Sequence, residues 1–290
     1  MNTKVLIRKF ESLLRFLPDE TYIKLKYKYK TKRKLNLENP QTFNEKLQWL
    51  KLYDRKDIYT KLVDKYEVKK IVSEIIGEEY IIPTLGVWDK FNDIEFDKLP
   101  EQFVLKCTHD SGGLCICNNI EEFNVKKAKK IITGSLKHNF YWSGREWPYK
   151  NVVPRILAEK FIEDIELEEA RDYKFFIFNG CAKLLYVATD RMNKEKDTCF
   201  DFYDIDFKHL EIRNGHPNNL CYISKPKNFE LMKKISEEIA VQLQLHHVRV
   251  DLYEVNGKVY FGELTFFHEC GFSSFEPEEW DWKMGEWITL

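Results

Sequence analysis

The chain carries almost no net charge: 46 lysines and arginines stand against 47 aspartates and glutamates, a formal balance of −1. A chain so balanced is not a polyanion binder as a whole, so nucleic acid is not expected as a partner and any basic surface must be local. No run reaches the roughly 18 uncharged apolar residues that a membrane-spanning helix requires. The N-terminus, MNTKVLIRKFESLLRFLPDE, reads as an amphipathic helix broken by Arg8, Lys9, Glu11 and Arg15, and it lacks the continuous apolar stretch of a secretory signal. The seven cysteines contain no C-x-x-C pair and no evenly spaced disulfide framework, so a reduced compartment is expected. Cys115 and Cys117, two apart, read as small hydrophobes on one strand face. Repeats and low-complexity tracts are missing. So is the disordered signature of low hydrophobicity with high net charge, because 43% of residues are apolar and 32% charged.

Aromatic residues are plentiful at 15%, enough both to fill cores and to line sites. Seven basic groups lie between Lys24 and Lys34 in YIKLKYKYKTKRK, interleaved with Leu and Tyr. This run is either a solvated face or a point of attraction to an anionic polymer or a negative membrane leaflet. Beyond it, Asn39-Pro40 signals a turn, and Thr42-x-x-Glu45 spells a capping box ahead of apolar residues at helical spacing. A second helix is predicted over 62–76, a basic helix over 122–138, and another over 229–244. Strands are predicted for FVLKC, LCIC, RILAEKFI, DYKFFIF and KLLYVAT, the last two joined at Asn179-Gly180, and for HVRVDLYEV and KVYFGELTF, joined at Asn256-Gly257. A final packed helix is expected in EPEEWDWKMGEWITL.

Three segments can carry chemistry. In FVLKCTHDSGG, Lys106 precedes Ser111, Gly112 and Gly113, a loop able to bring backbone N–H groups to phosphate oxygens, although no G-K-[ST] follows as in a Walker A loop. In the late hairpin, a regular two-residue loop sets Asp251 across from Gly262 and Val250 across from Glu263. A one-residue shift would instead set Asp251 across from Glu263, and two carboxylates so placed suit Mg2+. The competing readings are an exposed face for Glu263 and an Arg249–Asp251 ion pair. Third, Arg155 to Ile162, followed by Asp172-Tyr173-Lys174, offers apolar strand residues with a polar edge, either an adenine site or an ordinary edge strand.

In this order, the segments resemble the ATP-grasp superfamily over roughly 62–275. The strings NPQTFNEKLQWLKLYDR, VDKYEVKK, GEEYIIPTLGVWD, LPEQFVLKCTHDSGG, YKNVVPRILAEKFIED, DYKFFIFNG and VRVDLYEVNGKVYFGELTF are similar to the TupA-like ATP-grasp family of polysaccharide and teichuronopeptide biosynthesis, from about Leu37 onward. The resemblance implies an α+β ATP-grasp fold in which two subdomains clasp ATP between antiparallel sheets, behind a helical N-terminal region. The implied division is 1–61 helical and basic, 62–100 a reduced leading segment, 101–164 the smaller subdomain and 165–290 the metal-binding one. It further implies Lys106 and either Lys65 or Lys69 on phosphate, Ser111, Gly112 and Gly113 in the closing loop, and Glu159, Lys160, Phe161 and Ile162 in the adenine linker. Asp172 would hold the ribose hydroxyls, with Lys174 among the nucleotide contacts. Asp251 and Glu263 would hold Mg2+, and Arg249 would face the transferring phosphoryl group as a catalytic residue alongside Lys106. Thr265 stands where the superfamily usually has Asn, a poorer neutral ligand.

The activity implied is an ATP- and Mg2+-dependent carboxylate–amine ligase working through an acyl phosphate. Its expected partners are an acidic sugar or polymer carboxylate and an amino acid. Peripheral contact with a membrane or polymer-synthesis machinery would run through residues 24–34, on the inner face of the membrane of a cytoplasmic protein. Two other classes stay open. A nucleotide-dependent glycosyl or phosphoryl transferase would use a pair such as Asp204-x-Asp206, otherwise read as a turn, and a non-catalytic tether would bind polymer through the basic run. His109 is read as packed or solvent-facing, or as a base for the incoming amine. Asp190-Arg191 is a candidate contact for the carboxylate substrate.

Overall fold

Thr42 stands extended just ahead of a helix and accepts a hydrogen bond from the Glu45 N–H at 3.3 Å, while the Glu45 carboxylate accepts from the Thr42 N–H at 3.2 Å. This reciprocal cap fixes where the helix starts. The computed structural model describes residues 14–110, 112–164, 170–190, 196–219 and 223–290. In it, helix α1 (Asp19–Thr31) precedes the capped helix α2 (Phe43–Tyr53). The amphipathic helix expected at the N-terminus falls largely on residues 1–13, outside the described part. The chain divides into two units, one formed by the residues up to Arg55 with Asp164–Leu290, the other by Lys56–Glu163.

The unit Lys56–Glu163 contains α3 (Ile58–Val63), α4 (Glu67–Ile76), β1 (Thr84–Trp88), β2 (Phe103–Cys107), β3 (Leu114–Cys117), α5 (Val125–Leu136), the short α6 (Tyr141–Gly144) and β4 (Ile156–Lys160). The single helix expected over 62–76 is two helices. At the break, the Asp64 carboxylate accepts from the N–H groups of Tyr66 (2.8 Å) and Glu67 (3.1 Å), and the Lys65 N–H turns away to the Thr108 carbonyl. A short acid bonding nearby backbone competes with continued helix. The basic helix expected over 122–138 is shorter, because Asn124 caps it by accepting from the Lys127 N–H at 2.9 Å. The sheet is antiparallel, in the order β1-β4-β2-β3. Alternation along its strands sends Phe103, Leu105, Ile156 and Ala158 into a core with Ala128 and Ile132 of α5. Lys106 and Glu159 point to the other face.

The other unit continues with β5 (Arg171–Phe178), β6 (Cys181–Thr189), β7 (Cys199–Asp204), β8 (His209–Leu210), α7 (Phe229–Gln242), β9 (His247–Val255), β10 (Lys258–Thr265) and α8 (Glu279–Glu286). Its six-stranded antiparallel sheet has the order β10-β9-β5-β6-β7-β8. The hairpin turns at Asn179-Gly180 and Asn256-Gly257 take positive φ at both residues, as two-residue loops between twisted strands require. One face receives α7, with Phe175 and Phe229 ring centres 5.6 Å apart. On the opposite face, Phe43 of α2 packs edge-on against Phe176 and Phe178 at 6.2 and 6.0 Å. Each buried phenyl ring contributes about 1.5–3 kcal/mol, so the sheet is held from both sides.

His247, at the start of β9, lies in this aromatic layer. Its Nδ1 donates to the Ile177 carbonyl at 2.8 Å, its ring centre is 4.7 Å from that of Phe178, and its Nε2 has no hydrogen-bond partner among the described residues. Burial there drives its pKa from 6.5 down to about 3, and burial likewise holds His268 well below its ordinary value. Because both rings stay neutral when folded but take up protons when unfolded, this stability is present above pH 6.5 and is lost as pH falls toward the folded values. The unfolding free energy should therefore drop between pH 6.5 and about 5, by up to about 1.4 kcal/mol per pH unit for each histidine. Denaturant titrations across that range should show the slope, and His247→Phe should remove one of the two increments.

Candidate functional site

Two charged constellations stand out, one in each unit. In the unit Lys56–Glu163, Glu159 of β4 is buried and its carboxylate forms ion pairs with both Lys69 of α4 and Lys106 of β2. The strand register produces this. Leu157 pairs with Lys106 and Glu159 with Val104, so Glu159 and Lys106 are diagonal neighbours on one face. Lys69 also donates to the Ile82 carbonyl at 2.7 Å and the Thr84 hydroxyl at 3.2 Å. Burial opposes the charge on Glu159, but Lys106 and Lys69 outweigh it and hold the carboxyl below its ordinary value; burial lowers Lys69. Of the two lysines the sequence left open, Lys69 makes this contact. A cavity of about 410 Å³ opens beside it, lined by Tyr66, Glu67, Lys70, Pro83 and Thr84.

The glycine loop follows β2. The Asp110 carboxylate accepts from the Gly113 N–H at 3.1 Å and from the Ser135 hydroxyl, and the Gly113 carbonyl accepts from the Cys107 N–H at 2.8 Å. A β-carbon on Gly113 would press against Ser135 Oγ at 2.6 Å and Cys107 Sγ at 2.7 Å, so only glycine fits. Gly112 is exposed at the tip, and Ser111 lies outside the described residues. His109 is buried with Nε2 directed at the carbonyls of Ser135 (3.2 Å) and His138 (3.0 Å), the contacts of a packed histidine. Lys160 is exposed at the end of β4, and Phe161 and Ile162 follow, half-buried.

The second constellation sits on the six-stranded sheet. From Lys258 to Phe261, β10 pairs with β9 in the regular register, and then a bulge takes in Gly262 and shifts it by one, so that Glu263 lies opposite Asp251 and Thr265 opposite Arg249. The shifted register of the sequence reading is the one observed. On β5, Lys174 lies opposite Asp251, with Asp172 two residues along on the same face. Six functional candidates thus share one face: Asp172, Lys174, Arg249, Asp251, Glu263 and Thr265. Asp251 is buried and is gripped by Arg249 through Nε–Oδ1 and Nη2–Oδ2 contacts of 2.7 Å each, while Lys174 bridges it to Asp172, 2.6 Å away. Burial raises the Asp251 carboxyl against the pull of Arg249 and Lys174. Burial also works against the guanidinium, but Asp251 more than offsets it, and the Arg249 pKa rises. Glu263 is half-buried, with its Oε1 at 3.9 Å from Arg249 Nη2.

The rest of the Arg249 fork is also spoken for. Nη2 donates to the Thr265 hydroxyl at 2.9 Å and Nη1 to His268 Nδ1 at 2.9 Å. A guanidinium only donates, so His268 Nδ1 accepts and its proton sits on Nε2, which donates to Asn214 Oδ1 at 2.8 Å. Asn214 Nδ2 in turn donates to the carbonyls of Ser273 and Ser274. His268 heads a turn in which Glu269, Cys270 and Gly271 all adopt left-handed backbone, and its carbonyls are held by α2: Gln48 Nε2 donates to Gly271 O (2.6 Å) and Lys51 Nζ to Cys270 O (2.8 Å). The sequence offers no signal that would single out Asn214, Gln48 or Lys51. Nothing in local spacing links residues 48, 214 and 268.

Of the weaker candidates, Asp204 spends its Oδ1 on the N–H groups of Asp206 (3.0 Å) and Lys208 (2.8 Å), an Asx turn at the Asp-x-Asp pair. Asp190 accepts from Asn219 Nδ2 at 3.3 Å, and Arg191 lies outside the described residues.

A model of the TupA-like ATPgrasp family matches residues 45–289. No curated protein matches the chain. Among solved structures, D-alanine–D-alanine ligase from Bacillus anthracis is similar at 18% identity over 71% of this chain and 57% of its own, with a TM-score of 0.41. The ATP-grasp ligase PsnB, complexed with minimal precursor, Mg and ADP, matches at 9% identity over 77% and 57%, TM-score 0.41. The biotin carboxylase domain of Hydrogenobacter thermophilus 2-oxoglutarate carboxylase, in complex with MgADP, ADP and bicarbonate, matches at 13% over 71% and 40%, TM-score 0.40. The chain thus spans about half the length of the solved chains it matches.

Two substitutions probe these networks. Glu159→Gln leaves two lysines around a neutral amide and should destabilise the unit Lys56–Glu163 by about 3 kcal/mol, read as a lower denaturant midpoint. His268→Leu strips partners from Arg249 and Asn214 and should cost about 1–3 kcal/mol in the same measurement.

Proposed function

Since the chain belongs to the TupA-like ATP-grasp family, we propose that it is an ATP-dependent carboxylate–amine ligase, which activates a carboxylate as an acyl phosphate and passes it to an amine. The observation that carries this reading is the bulge at Gly262, which sets Asp251 directly across from Glu263 beneath the Arg249 fork. That arrangement suits handling of a triphosphate.

The donors fit Mg2+. Asp251, Glu263 and the Thr265 hydroxyl are hard oxygens, and this ion is usually held by one or two carboxylates together with substrate phosphates. Among the described residues no group of three His, Cys, Asp or Glu gathers for a metal, so the two-carboxylate mode is the one available. When bound, the ion would offset charge on the β- and γ-phosphates. The side chains of this protein do the positioning. Arg249, held in one orientation by Asp251, Thr265 and His268, presents fixed positive charge to the transferring phosphoryl group. On the sequence resemblance, Lys106 with Lys65 or Lys69 would be phosphate contacts, and Gly112 and Gly113 allow close backbone approach. Asp172 serves the ribose hydroxyls and residues 159–162 the adenine edge. No nucleophilic side chain is needed, because the substrate carboxylate attacks phosphorus and the amine then displaces phosphate.

On the sequence resemblance, the acceptor is the carboxylate of a uronic acid or glutamyl chain, the donor amine is that of an amino acid, and the setting is surface-polysaccharide biosynthesis. The test is ATP turnover by purified protein offered uronic or glutamyl acids with amino acids. ADP and phosphate are expected as products, whereas AMP would exclude an acyl phosphate. Lys106→Ala and Glu263→Gln should each lower kcat by about 10²-fold or more. Near-wild-type ADP release by Glu263→Gln would remove that residue from the site.

A further inference from the structure

Helix α1 has a sharply divided surface. Tyr22, Ile23 and Tyr27 are buried in a cluster with Leu35 and Phe272. Lys24, Lys28 and Lys32 recur every fourth residue along the outward side. Beside that line, Leu25 is 57% and Tyr29 72% exposed, and Phe16, just ahead of the helix, is 80% exposed. Lys32 Nζ lies 4.9 Å from the centre of the Tyr29 ring, and the Arg33 guanidinium lies 5.6 Å from the ring of Trp282 in α8, itself an exposed side chain. Two of the acids nearby are already engaged, Glu20 with Lys24 at 2.6 Å and Glu278 with Arg33 at 2.7 Å. Among the described residues, no carboxylate pairs with Lys28, Lys30, Lys32 or Lys34, which leaves local positive charge on a chain whose total is −1.

We propose that this face docks the protein onto an anionic lipid surface. Cations alone would serve any polyanion. Leu25 and Phe16 favour lipid, since a hydroxylated anionic glycan offers an aliphatic side chain no apolar volume to enter and a phenyl ring only the C–H face of a sugar. They gain free energy when seated at the boundary between headgroups and acyl chains. Tyr and Trp with lysines and arginines beside them are the side chains that settle at that depth, with the charges on lipid phosphates. No described helix is long and apolar enough to cross a membrane, so the contact is a peripheral one. Its strength is set by the charge term, roughly a fivefold change in affinity per lysine near such a surface, and by shallow insertion of three apolar groups.

Cosedimentation of the full chain with phosphatidylglycerol–phosphatidylcholine vesicles and with pure phosphatidylcholine vesicles tests this. Binding is expected only to the former, weakening as salt rises. The pairs Lys28→Glu with Lys32→Glu, and Leu25→Ser with Tyr29→Ser, should each weaken binding at least about tenfold while leaving circular dichroism and ATP turnover unchanged. Equal binding to neutral vesicles would overturn the proposal, as would wild-type binding by either pair. So would retention on an immobilised anionic polysaccharide with no vesicle binding.

Discussion

A carboxylate buried in an apolar sheet is tolerable only if its charge is matched on the spot, and Asp251 is matched twice. Arg249 meets both its oxygens from two residues away on the same strand, and Lys174 meets it from the neighbouring strand. Removing either cation would leave uncompensated charge in a place without water to screen it. The candidate residues on that sheet face are arranged around this cluster. The guanidinium is fixed by four acceptors, the imidazole beside it is confined to one tautomer, and the bulge aligns a second carboxylate with the first. The same logic recurs in the other unit, where a single buried glutamate lies between two lysines on adjoining elements.

These clusters are also what keeps the sites preorganised. Lysines and arginines lose considerable rotamer freedom when fixed, and that entropy is already spent in folding. The cations of Lys69 and Lys106 have positions set by Glu159 and, for Lys69, by the Ile82 carbonyl and Thr84 hydroxyl. Similarly, the left-handed turn at His268–Gly271 costs conformational energy that is offset by Gln48 and Lys51 gripping its carbonyls.

The local part of this architecture was legible in the sequence. The Thr42–Glu45 cap, the strands around Asn179-Gly180 and Asn256-Gly257, and the strand–glycine loop–strand segment all depend on residues a few positions apart, and short-range chemistry fixes them. The 62–76 helix was misread because Asp64 has helical neighbours on both sides, and only the bonds its carboxylate makes to Tyr66 and Glu67 reveal the break. The pairing of Asp251 with Glu263 was recoverable only as one of two registers, since a loop of two residues is compatible with either until Gly262 bulges. Asn214, His268, Gln48 and Lys51 left no trace, because what unites them is a network closing over more than 200 positions of chain.

That closure has a bearing on how the protein is made. Residues up to Arg55 belong to the same unit as Asp164–Leu290, while Lys56–Glu163 form a unit from contiguous chain. On the ribosome, the contiguous portion can consolidate as soon as it emerges. Helix α2 must wait for β10 and the turn beyond it before Gln48 and Lys51 find their carbonyls. Over that interval Phe43 of α2 lacks the Phe176, Phe178 and Phe275 rings that it packs against in the folded unit. Helix α2, made well before the sheet it packs on, is thus secured only once that sheet is complete, and until then its apolar face needs shelter from self-association.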